Sequence, residues 1–94
     1  MADIETRHDE EHQRYVAVLD GTQVGELLYR DTAEGRVFTH TEIDAAYEHH
    51  GFGTQLIRAS LDDTRADGIR PIGQCPMVRN FLAEHPDFAR PLTR

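Results

Sequence analysis

The chain has 94 residues, 17 of them acidic against ten cationic side chains that are all arginine, for a formal charge of −7. Counterion release needs clustered cations and these arginines are scattered, so a general affinity for nucleic acid or an anionic membrane is excluded, while a basic substrate is attracted. The one cysteine, Cys75, excludes an intrachain disulfide and suits a reducing compartment.

A chain of this size makes one small domain, residues 1–94, with room for a small ligand site. With no signal peptide, lipidation motif or apolar run of spanning length, a soluble cytoplasmic protein is expected. Its oligomeric state is not legible.

The first 47 residues read as β-rich. Residues 4–8 suit an edge strand, followed by the polar connection Asp9-Glu10-Glu11-His12. Tyr15, Ala17 and Leu19 alternate with Val16 and Val18 in a second strand, and Asp20-Gly21 favours a tight hairpin turn. Residues 24–30 return as a third strand. A turn over 31–35 leads into a strand over 36–43, giving a meander of three or four antiparallel strands.

Period two along that last strand puts Phe38, His40 and Glu42 on one face and Val37, Thr39, Thr41 and Ile43 on the other. His40 and Glu42 can then converge on a pocket as a base and its partner. A solvated polar face would read the same way, and the residues alone leave both open.

Glu48-His49-His50-Gly51-Phe52-Gly53-Thr54 follows, with two glycines one residue apart ahead of a helix expected over 55–67. A strand that turns on Gly51 and Gly53 into a helix presents backbone N–H groups at a positive helix end, where a phosphate or pyrophosphate sits without a basic side chain. No Gly-Lys-Ser/Thr follows, so this is not a Walker loop. The third glycine of a dinucleotide fingerprint is also missing. The His49-His50 doublet does not make a metal site, because adjacent side chains diverge and no third ligand has suitable spacing.

In the helix, Phe52, Leu56, Ala59 and Asp63 fall on one stripe and Ile57, Leu61 and Thr64 on the next, a face broad enough to cover a sheet. Gly68 ends it. A short strand over 70–74, a second helix over 76–84 and a stop at His85-Pro86 complete the order ββββαβα. The fold class is α+β, a mostly antiparallel sheet of about five strands covered by two helices. Cys75-Pro76 makes Cys75 the N-cap of the second helix, with its sulfur facing first-turn amides that favour the thiolate. A small buried apolar residue is the other reading of Cys75.

Taken together, His40-Thr41-Glu42-Ile43, the glycine turn with Thr54 and Leu56, and Cys75-Pro76 followed by Phe81, His85 and Pro86 resemble the GNAT superfamily of acyl-CoA N-acetyltransferases. The likeness is strongest to its very small single-domain branch, the YjdJ type, and runs from about Arg14 to Phe88. The resemblance implies a compact acyltransferase fold and acetyl-CoA as co-substrate, its pyrophosphate on the amides of Glu48 through Gly53 and its pantetheine beside the strand near Ile43. Ile43, Glu48, His49, His50, Gly51, Phe52, Gly53 and Thr54 are then the cofactor-binding set. A small-molecule or peptide amine would enter from the other side of a split in the sheet, with Glu42, His40 and Cys75 as the catalytic candidates.

Two positions depart from the superfamily pattern. Glu48 stands where Gln or Arg is usual, placing a carboxylate near a polyanion. Phe81 lies near the position of a tyrosine acid in larger relatives, which leaves Cys75 to protonate the departing thiolate or to carry the acetyl group itself; superfamily habit favours direct transfer. The competing class is a non-catalytic acyl-CoA-binding or protein-interaction module, because the chain lacks the N-terminal helices that build much of the acceptor site in larger relatives.

Overall fold

In the computed structural model, which describes residues 3–92, four strands pair in chain order, each antiparallel to the one before. They are β1 (Glu5–Asp9), β2 (Arg14–Leu19), β3 (Thr22–Thr32) and β4 (Gly35–Ile43). The hairpin dipeptide behaves as its composition requires, Asp20 and Gly21 adopting φ of 50° and 82° in a turn whose twist matches the flanking strands. The connection at 9–12 tightens into a 3-10 turn, Glu10–His12, in which the Asp9 carboxylate accepts from the His12 N–H.

Helix α1 (Phe52–Ala66) then carries the chain to β5 (Pro71–Gly73), which lies parallel to β4; a parallel pair needs such a crossover. Helix α2 (Pro76–Glu84) follows with proline in its first turn. The expected α+β order and five-stranded sheet are therefore present, with α1 starting three residues earlier than the apolar spacing alone suggests.

The core forms where both helices meet one face of the sheet. Tyr15, Ala17, Leu27, Tyr29 and Phe38 meet Leu56, Ile57 and Leu61 from α1 and Val78 and Phe81 from α2, all buried. The buried stripe of α1 runs through Phe52, Leu56, Ile57, Ser60, Leu61 and Thr64. Ala59 and Asp63, expected on it, lie at its margin, Ala59 half-buried and Asp63 exposed. Asp63 stays in reach of water while accepting from the Tyr15 hydroxyl at 2.7 Å, and Ser60 takes the inward position.

One irregularity re-aims β4. Leu28 pairs with His40 but Tyr29 pairs with Phe38, so Thr39 is an extra residue. A bulge of this kind flips the side-chain phase of everything beyond it. Phe38 faces the core beside Tyr29, and beyond the bulge Thr41 and Ile43, opposite Leu27 and Gly25, take the same face. His40 and Glu42, opposite Leu28 and Glu26, turn to the other. The expected single face of Phe38, His40 and Glu42 is thus broken, because period two holds only while the register is uninterrupted.

The start of β4 is tied down by Arg36, which is 5% exposed. Its guanidinium makes two bonds to the Asp31 carboxylate, at 2.7 and 3.1 Å, and donates to the Tyr15 hydroxyl at 2.9 Å. It also stacks 4.2 Å from the centre of the Tyr29 ring. Burial pushes the Tyr15 phenol well above its ordinary range, so it remains a neutral donor to Asp63. His8 closes the cluster from β1, its Nε2 2.6 Å from the Tyr29 hydroxyl and its ring stacked on Tyr15.

Candidate functional site

Strands β4 and β5 pair only at Arg36, Val37 and Phe38. The N–H groups of Gln74 and Cys75 then both donate to the Phe38 carbonyl, at 3.0 and 3.1 Å, and the chain leaves the sheet as α2. β4 continues to Ile43 with β3 on one side and, among the described residues, no strand on the other. Asp44 donates its N–H across to Val24 of β3 at 2.8 Å. Backbone direction alternates along a strand, so the N–H groups of Thr41 and Ile43 point to the open side.

The glycine turn closes the far end of this opening. Gly51 is the N-cap of α1 with φ of 78° and makes no side-chain cap bond. That conformation disfavours a side chain, although a Cβ there would meet nothing within 4 Å. Gly53 is not a turn residue but part of the helix; a Cβ on it would come 2.9 Å from the end of the Met77 side chain. The first bond of α1 runs from Gln55 N–H to Gly51 O, leaving the N–H groups of Phe52, Gly53 and Thr54 ahead of it without an intrahelical acceptor. Helix polarity adds positive potential at the same place.

A cleft of about 570 Å³ joins these features. Of the sequence-predicted residues, Glu42, Ile43, Glu48, His49, Gly51, Phe52, Gly53 and Thr54 all line it. His50 does not; its ring stacks on Phe52 with centroids 5.5 Å apart. Thr41, Ala45, Tyr47 and Met77 complete the lining; Thr41 belongs to the motif that carries the resemblance, but none of the four is among the site residues expected from the sequence. Tyr47 was legible in principle, as an aromatic residue directly before the turn, whereas Thr41 was hidden by the bulge. The lining includes Glu42 and Glu48 but no arginine. An anion entering the cleft would therefore be held by backbone amides.

Cys75 does cap α2, yet its sulfur is not bonded to the first-turn amides as the sequence suggests. It is buried, and Sγ lies 3.1 Å from the Thr41 hydroxyl. The Thr41 side chain reaches it because the bulge has turned that residue inward, and so links Cys75 to the cleft. On the opposite face of β4, His40 Nε2 is 3.7 Å from Glu42 Oε1, with both side chains more than half exposed. The pair converges, but across the strand from the sulfur and not beside it. Phe81 packs into the core. Among the described residues no group of His, Cys, Asp and Glu is placed to hold a metal ion, and no helix is long and apolar enough to cross a membrane.

Residues 14–91 match the sequence profile of a protein family described as GCN5-related N-acetyl-transferase. Two solved structures share the fold, both of an aminoglycoside acetyltransferase from an uncultured soil metagenomic sample, one in complex with sisomicin and one with trehalose. They superpose with TM-scores of 0.56 and 0.55 at 18% identity over 86% of this chain. This chain spans 58% of their length. No match was found among curated proteins.

Proposed function

The chain belongs to the GCN5-related N-acetyltransferase family, and on that premise we propose that it moves an acetyl group from acetyl-CoA to the nitrogen of an amine. The observation that carries the proposal is the cleft itself. Helix amides without acceptors and the open edge of β4 border one space of suitable size, and Cys75 is tied to that edge through Thr41. Acetyl-CoA supplies the acyl group as a thioester. The N–H groups of Phe52, Gly53 and Thr54 suit its diphosphate, Gly51 keeps the approach open, and those of Thr41 and Ile43 suit the amides of its pantetheine arm.

The two faces of β4 divide the remaining work. Cys75, behind Thr41 on the inner face, supplies a proton to the departing sulfur, a transfer from one thiol sulfur to another. We favour this direct route over acetylation of Cys75. His40, exposed on the outer face with Glu42 beside it, accepts a proton from an incoming ammonium group at Nε2, and Glu42 offsets the resulting charge. A small-molecule amine is the acceptor class we favour, since that face is open to solvent and the protein is anionic. The activity named for the structural neighbours agrees with that choice.

The test begins with calorimetry. Acetyl-CoA should bind, and Gly53→Val should raise its Kd by about 10- to 100-fold, the loss of one or more hydrogen bonds to a charged group. The variant should stay folded, because the new side chain meets the movable end of Met77. Unchanged affinity in a folded Gly53→Val protein would remove the diphosphate site. CoA release with pooled amines then separates a transferase from a module that only binds acyl-CoA.

A further inference from the structure

We infer that Thr41 is a positioning residue for acetyl transfer, its hydroxyl holding the Cys75 thiol before the proton is given up and stabilising the thiolate afterwards. This rests on the acetyltransferase reading above. The geometry is specific. Thr41 Oγ1 lies 3.1 Å from Cys75 Sγ, and the sulfur takes no side-chain cap bond from the amides of α2. Neither side chain has another hydrogen-bonding side-chain partner among the described residues. Strand packing does not require the hydroxyl, because valine has nearly the same shape and an equal preference for strands.

A hydroxyl carries one donor and two acceptor sites and rotates between them. With Cys75 protonated, the S–H donates to Thr41 Oγ1. During transfer the amine nitrogen forms its bond to the acyl carbon, the carbon–sulfur bond breaks, and its electron pair leaves on the thioester sulfur. Cys75 gives that sulfur its proton, and the Thr41 hydroxyl turns to donate to the thiolate left behind. The new amide nitrogen then loses its surplus proton, through water, to Cys75, which returns to its starting state. No oxidant or further reactant is needed.

The experiment compares wild type, Thr41→Val and Thr41→Ser in two assays. In the first, iodoacetamide alkylates Cys75 without substrate. Thr41→Val should slow the reaction about tenfold, while Thr41→Ser should stay within about threefold of wild type, the range set by one hydrogen bond to a charged group. In the second, amine acetylation, Thr41→Val should lower kcat about 10- to 100-fold with little change in KM for acetyl-CoA, and serine should restore it. If Thr41→Val equals wild type in both assays, or serine is as impaired as valine, the inference is overturned. Hydroxyl-dependent alkylation in a wild type that acetylates no amine would support the Thr41–Cys75 contact and overturn the transferase reading instead.

Discussion

At its first residues β4 is paired on both sides and buries a charge whose hydrogen bonds are met, whereas from Thr39 onward the same strand has a neighbour on one side only. In the closed half, Arg36, Asp31, Tyr15, Asp63 and Thr64 satisfy one another within one network joining three strands to α1. In the open half, backbone N–H groups face a cleft and the exposed side chains are His40 and Glu42. Buried polar groups are costly unless paired. The closed half can therefore anchor the fold, while the open half leaves its polar groups free for a ligand. The strand is paired on both sides where it anchors the fold and open-edged where it borders the cleft.

Breaking the closed half should give the largest effect on stability and little on binding. Arg36→Met removes the bonds to Asp31 and Tyr15 together with the stacking on Tyr29. Stripping one partner from a fully buried ion pair costs about 3–5 kcal/mol. Asp31 is 47% exposed and can return to water, so we expect about 2–3 kcal/mol, read by urea denaturation, with affinity for acetyl-CoA within about twofold. Comparable loss of affinity in the folded variant would show that the halves are not independent.

Tyr15→Phe is the gentler version of the same break. The hydroxyl donates to Asp63, lies 3.2 Å from Thr64 and accepts from Arg36. Asp63 is exposed and recovers water, but the Arg36 N–H loses its acceptor inside the protein. A cost of about 1–2 kcal/mol follows, and thermal denaturation should show it as a lower Tm. A neutral result would mean that a water takes the place of the hydroxyl.

Ser60 provides a control that belongs to neither half. Its Oγ is buried with no hydrogen-bond partner among the described residues, an exception to the satisfaction seen around Arg36. Ser60→Ala should therefore raise stability, by up to about 1 kcal/mol. Destabilisation in denaturant titrations would reveal a partner for this hydroxyl that the structure does not contain.

The smallest effect belongs to the open half. Glu48 lines the cleft with its carboxylate toward solvent, and an exposed charge near a polyanion contributes about 1 kcal/mol or less. Glu48→Gln should tighten acetyl-CoA binding by up to about threefold, with the gain shrinking as salt rises. A marked loss of affinity in salt-series calorimetry would mean that Glu48 makes a favourable contact.

Local chemistry made much of this protein readable before folding. Tight-turn residues, alternating strands, Gly51 ahead of a helix, Gly68 after it and Pro76 at the start of α2 each act through their immediate neighbours. The element order and the cleft-lining residues around the turn could be read from the chain for that reason. The stripe on α1 was half legible: spacing gave Leu56, Ile57, Leu61 and Thr64, but the choice of Ser60 over Ala59 depended on how the helix sits on the sheet.

What the sequence by itself determined was the set of elements and the end of the cleft built from backbone amides, because φ preferences, capping and hydrophobic period operate over a few residues. Only the tertiary structure decided which face of β4 carries which side chain. The bulge at Thr39 arises from pairing with β3, and one unpaired residue moved Thr41 to the sulfur while sending His40 and Glu42 to the far side. The same holds for Cys75: Pro76 fixed it at the helix start, but the hydroxyl its sulfur meets comes from a strand 34 residues earlier, a contact no local rule encodes.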